Sequence, residues 1–374
     1  MQKNWNSLGL MSGTSGDGVD ASIIRTDGIS HYDSVQDKYF EYDSDIYKDI
    51  HKLKEKIHKK EHLKLYSKEI KNLERKITIF HAQIIKELRT CPDTIIGFHG
   101  QTIYHNPKEK KSIQLGNGKL LSQLSSKKVV FDFRKNDIVN KGQGAPLTPI
   151  FHHLLTVQNK FKLPVCFLNI GGISNITIVK NKNDISKLVS KDIGPGNCLI
   201  DAWVRKNSNK KFDQDGLIAS RGTRNEIIFE QAQELYMNRN NKKKLSFDTN
   251  DFDISFIRGL NFEDGVTTLT DFTASILSEE LSLILNSSNN KIHDIDILLC
   301  GGGRKNKELI KKIKQNLPLN FKLKLIDDYK IDGDFIESQA FAFLAIRSIL
   351  RLPISFPSTT GCIKPCIGGE LVEN

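Results

Sequence analysis

The stretch LGLMSGTSGDGVDASII, residues 8–24, contains the turn that decides the fold. An apolar run leads into three glycines, two hydroxyls and an aspartate, and a β-prone run from Val19 to Ile24 leads away. Glycine at a turn permits a positive φ and lets a ligand approach the backbone, while Thr and Ser add hydroxyl donors. The pattern predicts either a phosphate-binding loop or an ordinary hairpin turn, which glycine and aspartate also favour.

Three further glycine turns follow β-like runs. They are His99-Gly100-Gln101-Thr102, Gly171-Gly172 and Gly301-Gly302-Gly303. Helical patterns at 46–88, 146–158, 225–237 and 269–285 lie between the β-like runs. Strands that alternate with helices predict an α/β protein with largely buried sheets. The strand–turn–strand units near 8–25 and 165–180 form a weak internal repeat, which predicts one copy in each of two lobes.

Length also favours two lobes, because 374 residues exceed the ~250–300 at which a single core stops growing. We expect the first lobe at 1–130, with 345–374 returning to it, and the second at 131–344. No segment reaches the ~18 apolar residues of a membrane span, so we expect a cytoplasmic protein with no membrane partner. The apolar stretch that begins at Ala340 predicts a buried helix.

A net charge of +11 raises the hypothesis of a nucleic-acid partner. The lysines are densest between Lys48 and Lys86, where they alternate with leucine and isoleucine as on the solvated face of amphipathic helices. No nucleic-acid motif accompanies them, so we expect no nucleic-acid partner, although the charge favours small anionic ligands. The six cysteines are scattered and predict buried, reduced thiols.

Two other segments carry candidate chemistry. Asp192 precedes a Gly-Pro-Gly turn, and its carboxylate is either a general base or a helix N-terminal cap. Gly301 to Gly303 close a β-like run before the helical pattern from Lys307, which predicts either a nucleotide contact or a tight structural junction. The spacing lacks GxGxxG and GxxxxGK[ST], so neither a dinucleotide fold nor a P-loop is supported.

Seven motifs, read together and in order, carry a family resemblance. They are LMSGTSGDGVD, GFHGQT, QGAPLTP, NIGGISNIT, DIGPGN followed by DAW, CGGGRKN and FPSTTG. The set resembles the anhydro-N-acetylmuramic acid kinases from residue 8 to about residue 369. The resemblance implies the actin, hexokinase and Hsp70 superfold, in which two RNase H-like lobes flank an ATP cleft. It also implies a homodimer, and opening of 1,6-anhydro-N-acetylmuramic acid to N-acetylmuramic acid 6-phosphate and ADP during cell-wall recycling.

The resemblance implies roles for individual residues. ATP would contact Gly13, Thr14, Ser15, Gly16, Asp17, Gly18, Val19, Asp20, Gly171, Gly172, Gly301, Gly302 and Gly303. Asp192 matches the catalytic base. The sugar pocket would include His99, Gln101, Thr102 and Arg134, with Glu337 as a further candidate. Carboxylates suit Mg²⁺, and we expect Asp17 or Asp20 to help hold it.

Two departures limit these expectations. Many proteins of the wider superfold have an aspartate before the Gly-Thr pair. Met11 stands at that position here, and the resemblance implies that the family also lacks the aspartate. Lys243-Lys244-Leu245-Ser246 replaces the usual Pro-Pro-Lys-Ser, so we expect no dependable substrate contact there.

Two other functions stay open at this point. An ordinary amino-sugar kinase would use Asp192 on a sugar hydroxyl instead of on water, and the same fold also serves nucleotide-gated binding proteins. ATP turnover that depends on an anhydro sugar distinguishes these classes.

Overall fold

The computed structural model describes residues 3–238, 246–286 and 294–373. The strands are β1 (Trp5–Ser12), β2 (Gly18–Thr26), β3 (Tyr32–Glu41), β4 (Ile95–Asn106), β5 (Lys111–Leu115), β6 (Val129–Phe131), β7 (Val165–Ile170), β8 (Ile173–Val179), β9 (Val189–Pro195), β10 (Ile295–Cys300), β11 (Phe321–Leu325) and β12 (Glu370–Val372).

The helices are α1 (Ser44–Lys56), α2 (Lys60–Leu65), α3 (Ser67–Glu87), α4 (Gly118–Ser125), α5 (Lys135–Val139), α6 (Pro149–Gln158), α7 (Cys198–Asn207), α8 (Glu226–Met237), α9 (Phe262–Asn286), α10 (Lys307–Asn316), α11 (Ile336–Ile349) and α12 (Pro357–Thr360). The α/β prediction is confirmed. The helical pattern at 46–88 contains three helices, and no helix in the described ranges is long and apolar enough to cross a membrane.

Two sheets share one topology. The first has the order β12-β6-β4-β1-β2-β3, with β5 added beside β4, and the second has the order β11-β10-β7-β8-β9. In each, the central strand forms an antiparallel hairpin with the next strand and pairs in parallel with a later one, as β1 does with β2 and β4 and β7 does with β8 and β10. The topology confirms the internal repeat and the expectation of two RNase H-like lobes.

The chain divides into two compact units. The first contains 1–161, 181–190 and 334–374, and the second contains 162–180 and 191–333. The predicted lobe boundaries differ from these, since they placed 131–161, 181–190 and 334–344 in the second lobe. The physical reason is packing: α11 lies on β1, β2 and β4 of the first sheet, and α6 packs against α11.

Helix α11 approaches the first sheet closely because two strand residues lack a side chain. A Cβ on Gly9 would overlap the carbonyl oxygen of Ser338, and one on Gly97 would overlap that of Phe341. The segment from Ala340 to Ile346 is almost completely buried, which confirms the predicted buried helix. The same packing sets the position of the first turn of α11, which contains Glu337.

Candidate active site

The first glycine turn joins β1 to β2. The N–H of Gly16 donates to the carbonyl oxygen of Gly13 at 3.2 Å, and Gly16 has a φ of +70°, which glycine adopts without strain. Thr14 and Ser15 are exposed. A Cβ on Gly13 would meet its nearest atom, Oγ of Ser15, at 4.0 Å, so the outer face of this turn is open.

Gln101 supports this turn from behind. Its fully buried side chain donates from Nε2 to the carbonyl oxygen of Gly13 at 3.0 Å, and Nζ of Lys54 donates to the carbonyl oxygen of Thr14. Oε1 of Gln101 has no hydrogen-bond partner among the residues that the structure describes. The predicted sugar contact of Gln101 stays a prediction, and its observed role is to hold the turn.

Asp17 and Asp20 lie at the start of β2, and both are partly exposed. Asp20 is paired with Tyr39 in the β2–β3 register, and burial together with the negative charges of Asp17, Glu41 and Asp20 raises the pKa of Tyr39. Mg²⁺ in proteins takes one or two carboxylates and completes its shell with water and phosphate oxygens. Asp17 and Asp20 are therefore ligands of the type that Mg²⁺ takes, whereas Met11, opposite Asp20, is buried and offers no such ligand.

Gly18 and Val19 begin β2 and serve packing. A Cβ on Gly18 would overlap the carbonyl oxygen of Phe40, and Val19 has no exposed surface. The Cα of Gly18 and the side chain of Val19, two predicted nucleotide-binding residues, therefore face the protein interior. Any contact with ATP would come from their backbone.

His99, which is buried, and Arg134, which is partly exposed, form a hydrogen-bonded pair. Nδ1–H of His99 donates to the carbonyl oxygen of Gly100 at 2.7 Å, which leaves Nε2 to accept from Nη2 of Arg134 at 2.9 Å. Burial and the charge of Arg134 hold the pKa of His99 well below its usual value, so the ring is neutral. The structure thus brings together two residues that were predicted to line the sugar pocket.

Thr102 and Glu337 complete the predicted sugar-binding set, and each is half-buried. Oγ1 of Thr102 accepts from Nε2 of Gln114 at 3.1 Å across the β4–β5 pair. Glu337 lies next to Ser338, whose hydroxyl bonds to that of Ser22 at 2.6 Å. These contacts place Thr102 at the β5 side of the first sheet and Glu337 at its β2 side.

In the second unit, the Gly171-Gly172 turn is bonded to the segment that follows Asp192. The N–H of Asn197 donates to the carbonyl oxygen of Gly171 at 2.8 Å, and that of Gly196 donates to the carbonyl oxygen of Gly172 at 2.9 Å. A Cβ on Gly196 would overlap the carbonyl oxygen of Gly171, so the two turns lie in backbone contact. Backbone hydrogen bonds therefore join the Gly171-Gly172 motif to the Gly-Pro-Gly motif, although the two are separate in the sequence.

Asp192 lies within β9 and is 7% exposed. Its Oδ2 accepts from the backbone N–H of Phe247 at 2.7 Å. Helix α7 begins at Cys198 with Asn197 as its N-cap residue, so the helix-cap alternative for Asp192 is wrong. Sequence reasoning missed Phe247, which follows the altered segment; of that segment, 243–245 lie outside the described residues.

The Gly301-Gly302-Gly303 turn follows β10 and packs against the end of β7. Gly301 has a φ of +76°, and a Cβ there would lie 2.8 Å from the carbonyl oxygen of Ile170; a Cβ on Gly303 would overlap the Ile170 side chain. Nothing lies within 4 Å of a Cβ on Gly302. Gly301 and Gly303 are therefore required by packing, whereas Gly302 presents an open backbone.

Arg304 was not predicted from the sequence. It is 7% exposed, and its guanidinium makes a bidentate pair with Asp327 at 2.7 and 2.8 Å. This side-chain bonding lowers the pKa of Asp327. Bidentate Arg–carboxylate pairs are among the stronger hydrogen bonds in proteins, so the pair holds the glycine turn rigidly at the end of β10. A basic residue directly after a glycine turn was the available signal.

Two sheets of one topology, each with glycine turns after its central strands, place this chain among the two-lobed α/β proteins that the sequence predicted. The sequence profile of the family described as anhydro-N-acetylmuramic acid kinase matches residues 6–374. The chain belongs to the anhydro-N-acetylmuramic acid kinase family.

Individual relatives extend over the full length. An anhydro-N-acetylmuramic acid kinase of Pelagibacter ubique is 56% identical over 377 residues, covering 100% of both chains. One of Zymomonas mobilis is 35% identical, covering 98% of this chain and 99% of its own. Among solved structures, hexokinase from Schistosoma mansoni, in complex with glucose, is 10% identical, covers 91% of this chain and 85% of its own, and has a TM-score of 0.42.

Proposed function

We propose that this protein is an ATP-dependent kinase that opens 1,6-anhydro-N-acetylmuramic acid and phosphorylates O6. The products are N-acetylmuramic acid 6-phosphate and ADP, and the physiological role is cell-wall recycling. Full-length similarity to kinases of that name supports the substrate. The observation that best supports this chemistry is the position of Asp192. Its carboxylate is nearly buried, and the turn that follows its strand is hydrogen-bonded to a glycine loop.

Asp192 is the proposed general base. A base of this kind must hold one orientation toward the group that it deprotonates, and the Phe247 N–H fixes Oδ2 in this way. The anhydro bond is an internal acetal, so water can attack C1 once its proton passes to Asp192. The C1–O6 bond breaks, O6 forms a bond to the γ-phosphorus, and ADP leaves. No covalent enzyme intermediate is required.

The glycine turns are the proposed phosphate contacts. Gly13, Thr14, Ser15 and Gly172 are the proposed backbone N–H donors, because the N–H groups of Gly16 and Gly171 already donate within their own turns. Gly302 offers an open surface to the adenosine. Asp17 and Asp20 would hold Mg²⁺, which when bound neutralises developing charge on the phosphates. The enzyme's own task is chiefly positioning, because phosphoryl transfer needs little covalent chemistry from the protein.

The sugar pocket is proposed to lie around His99 and Arg134. The neutral ring of His99 accepts from Nη2 of Arg134, and this hydrogen bond fixes the orientation of the guanidinium. Guanidinium N–H groups only donate, so they suit the hydroxyl, carbonyl and carboxylate oxygens of a muramic acid derivative. Thr102 and Glu337 are the further proposed contacts.

The test is ADP release with ATP, magnesium and the anhydro sugar in ¹⁸O-labelled water, with the phosphosugar analysed by mass. Sugar-dependent ADP with label in the C1 hydroxyl supports coupled hydrolysis and transfer. ADP that appears only with ring-opened amino sugars, and without label fixed during transfer, replaces this proposal with an ordinary amino-sugar kinase. Turnover that no sugar stimulates contradicts both.

We also propose a homodimer in the cytoplasm, on the basis of the family resemblance. Light scattering on the purified protein tests the assembly, and fractionation of cells that express a tagged chain tests the compartment. A monomer at micromolar concentration, or a tag recovered outside the cytoplasmic fraction, contradicts the respective statement.

A further inference from the structure

Asp137, on α5, is a buried carboxylate that the motif analysis did not single out. It is 1% exposed, and no basic side chain in the described parts of the chain forms an ion pair with it. Oδ1 accepts from Oγ of Ser355 at 2.5 Å and from Oγ1 of Thr360 at 2.6 Å, and Oδ2 accepts from the N–H of Gly144 at 2.7 Å. Uncharged donors therefore bond to both oxygens of this side chain, and hydrogen bonds to a carboxylate are strong.

The loop at 142–144 wraps around this carboxylate. The N–H of Gly142 donates to the backbone carbonyl oxygen of Asp137 at 2.8 Å, and a Cβ on Gly142 would overlap the carboxylate. Gly144 has a φ of +74°, a conformation that few other residues adopt. The path of the loop is thus matched to the position of Asp137.

Gly144 connects Asp137 to the proposed sugar pocket. Its N–H donates to Asp137, and its carbonyl oxygen accepts from Nη1 of Arg134 at 2.8 Å. Nη2 of the same guanidinium donates to His99. Two hydrogen bonds in series therefore run from the carboxylate to Arg134, and a third reaches the imidazole.

We propose that Asp137 is a positioning residue, which sets the guanidinium of Arg134 for the sugar by holding Gly144 in place. The sugar-binding part of this inference rests on the proposed function, whereas the effect on Arg134 and His99 does not. Asp137 is buried and three donors occupy its carboxylate, so it acts through Arg134.

Two cysteine thiols lie next to the Asp137 carboxylate. Cys362 and Cys366 each place a sulfur within 4.8 Å of an Asp137 oxygen. Burial raises the pKa of both thiols, that of Cys366 to about 12, so they are protonated at neutral pH. Three donors already occupy the carboxylate, so the group is a hydrogen-bonded cluster.

Substitutions at position 137 separate positioning from stability. Asp137→Ala removes the acceptor for Gly144. Asp137→Asn keeps it, because the amide oxygen accepts from Gly144 while the amide N–H₂ donates to hydroxyls that also accept. Asp27→Ala is the matched control, because Asp27 is 5% exposed and accepts the N–H groups of Ile29, Ser30 and His31 in the turn between β2 and β3 of the same unit.

The first measurement is the ¹⁵N spectrum of the histidine rings, with the His99 signals assigned by their loss in His99→Gln. In Asp137→Ala the Nε2 signal of His99 should shift, because its donor is released, whereas Asp137→Asn and Asp27→Ala should leave it in place. An unchanged signal in Asp137→Ala, or an equal shift in Asp27→Ala, overturns the proposal. Asp137→Ser, whose hydroxyl is too short to reach Gly144, carries the same test if the alanine variant does not fold.

The second measurement is steady-state kinetics. The KM for the anhydro sugar should rise about ten-fold in Asp137→Ala, the scale of one charge-assisted hydrogen bond, with the KM for ATP within about two-fold of wild type. A parallel rise of both constants contradicts positioning at the sugar. If the wild-type protein shows no sugar-dependent turnover, the proposed function fails, and the imidazole signal still tests Asp137.

Discussion

The backbone N–H of Asn197 donates to the carbonyl oxygen of Gly171 at 2.8 Å. Together with the bond from the Gly196 N–H to the carbonyl oxygen of Gly172, this bond joins the turn that follows Asp192 to the glycine turn after β7, so the proposed base and a proposed phosphate loop cannot move independently. Gly196, buried against the same carbonyl, leaves no room for a side chain. The chemistry proposed for Asp192 depends on this backbone contact as much as on the carboxylate.

Asp192→Asn should lower kcat by about 100-fold or more, because the amide cannot take a proton, while the dissociation constant for ATP stays within about two-fold. Stopped-flow or coupled-assay kinetics and calorimetric ATP titration measure the two quantities. Asp201→Asn, in the first turn of α7, is the matched control and should keep kcat near that of wild type. Equal loss of turnover and of ATP affinity in Asp192→Asn would instead indicate a structural role.

Gly13→Val should weaken ATP binding without lowering Tm, because the new side chain enters the open space where a phosphate is proposed to bind. Gly16→Val is the contrasting variant. Its φ of +70° and the Ile50 methyl carbon at 2.9 Å from a Cβ make a side chain there costly, by about 1–3 kcal/mol of unfolding free energy. Thermal melts and nucleotide titrations distinguish the two, and a Tm loss in Gly13→Val comparable to that in Gly16→Val contradicts the assignment.

Gly302 and Gly303 offer a similar test at the proposed adenosine contact. Gly302→Ala should leave Tm within about 1 °C of wild type and raise the KM for ATP, since only the ligand is proposed to approach that backbone. Gly303→Ala should lower Tm by several degrees, because its methyl group would overlap Ile170. An unchanged KM for ATP in Gly302→Ala removes this glycine from the nucleotide site.

Stability should fall in mild acid because the first unit buries neutral histidines. Burial lowers the pKa of His81 to about 4 and that of His152 to about 3. The unfolded chain, with a histidine pKa near 6.5, binds more protons than the folded chain between these values, so unfolding becomes easier as pH falls from 6.5 toward 4. Each group contributes on the order of 1.4 kcal/mol per pH unit in that window.

Urea titrations at pH 7 and pH 5 measure this dependence. His81→Met should reduce the loss of unfolding free energy between the two pH values, whereas His58→Gln, at an exposed position, should leave it unchanged. An equal pH dependence in His81→Met and wild type contradicts the assignment of a buried neutral ring at position 81.

Much of the fold was predictable because its signals are local. The hairpins at 8–25 and 165–180, the helices α8 and α10 and the buried helix α11 agree with the sequence patterns, whereas α9 begins at Phe262, before the predicted 269–285. The helix at 146–158 begins later, at Pro149, and 46–88 divides into three helices. The lobe boundary was not predictable from the sequence. It depends on the packing of α11 against the first sheet and of α6 against α11, and no linker-like segment in the sequence marks it.

The sequence by itself determined the family, the glycine turns and the candidate base, because each depends on residue types at short, fixed spacing. Tertiary structure alone decided which glycines are open, at Gly13 and Gly302, and which are packed, and it removed the helix-cap alternative for Asp192. It also connected Asp137 to Ser355, a residue 218 positions away. Close packing and buried hydrogen bonds join distant segments, and no local pattern records such a partner.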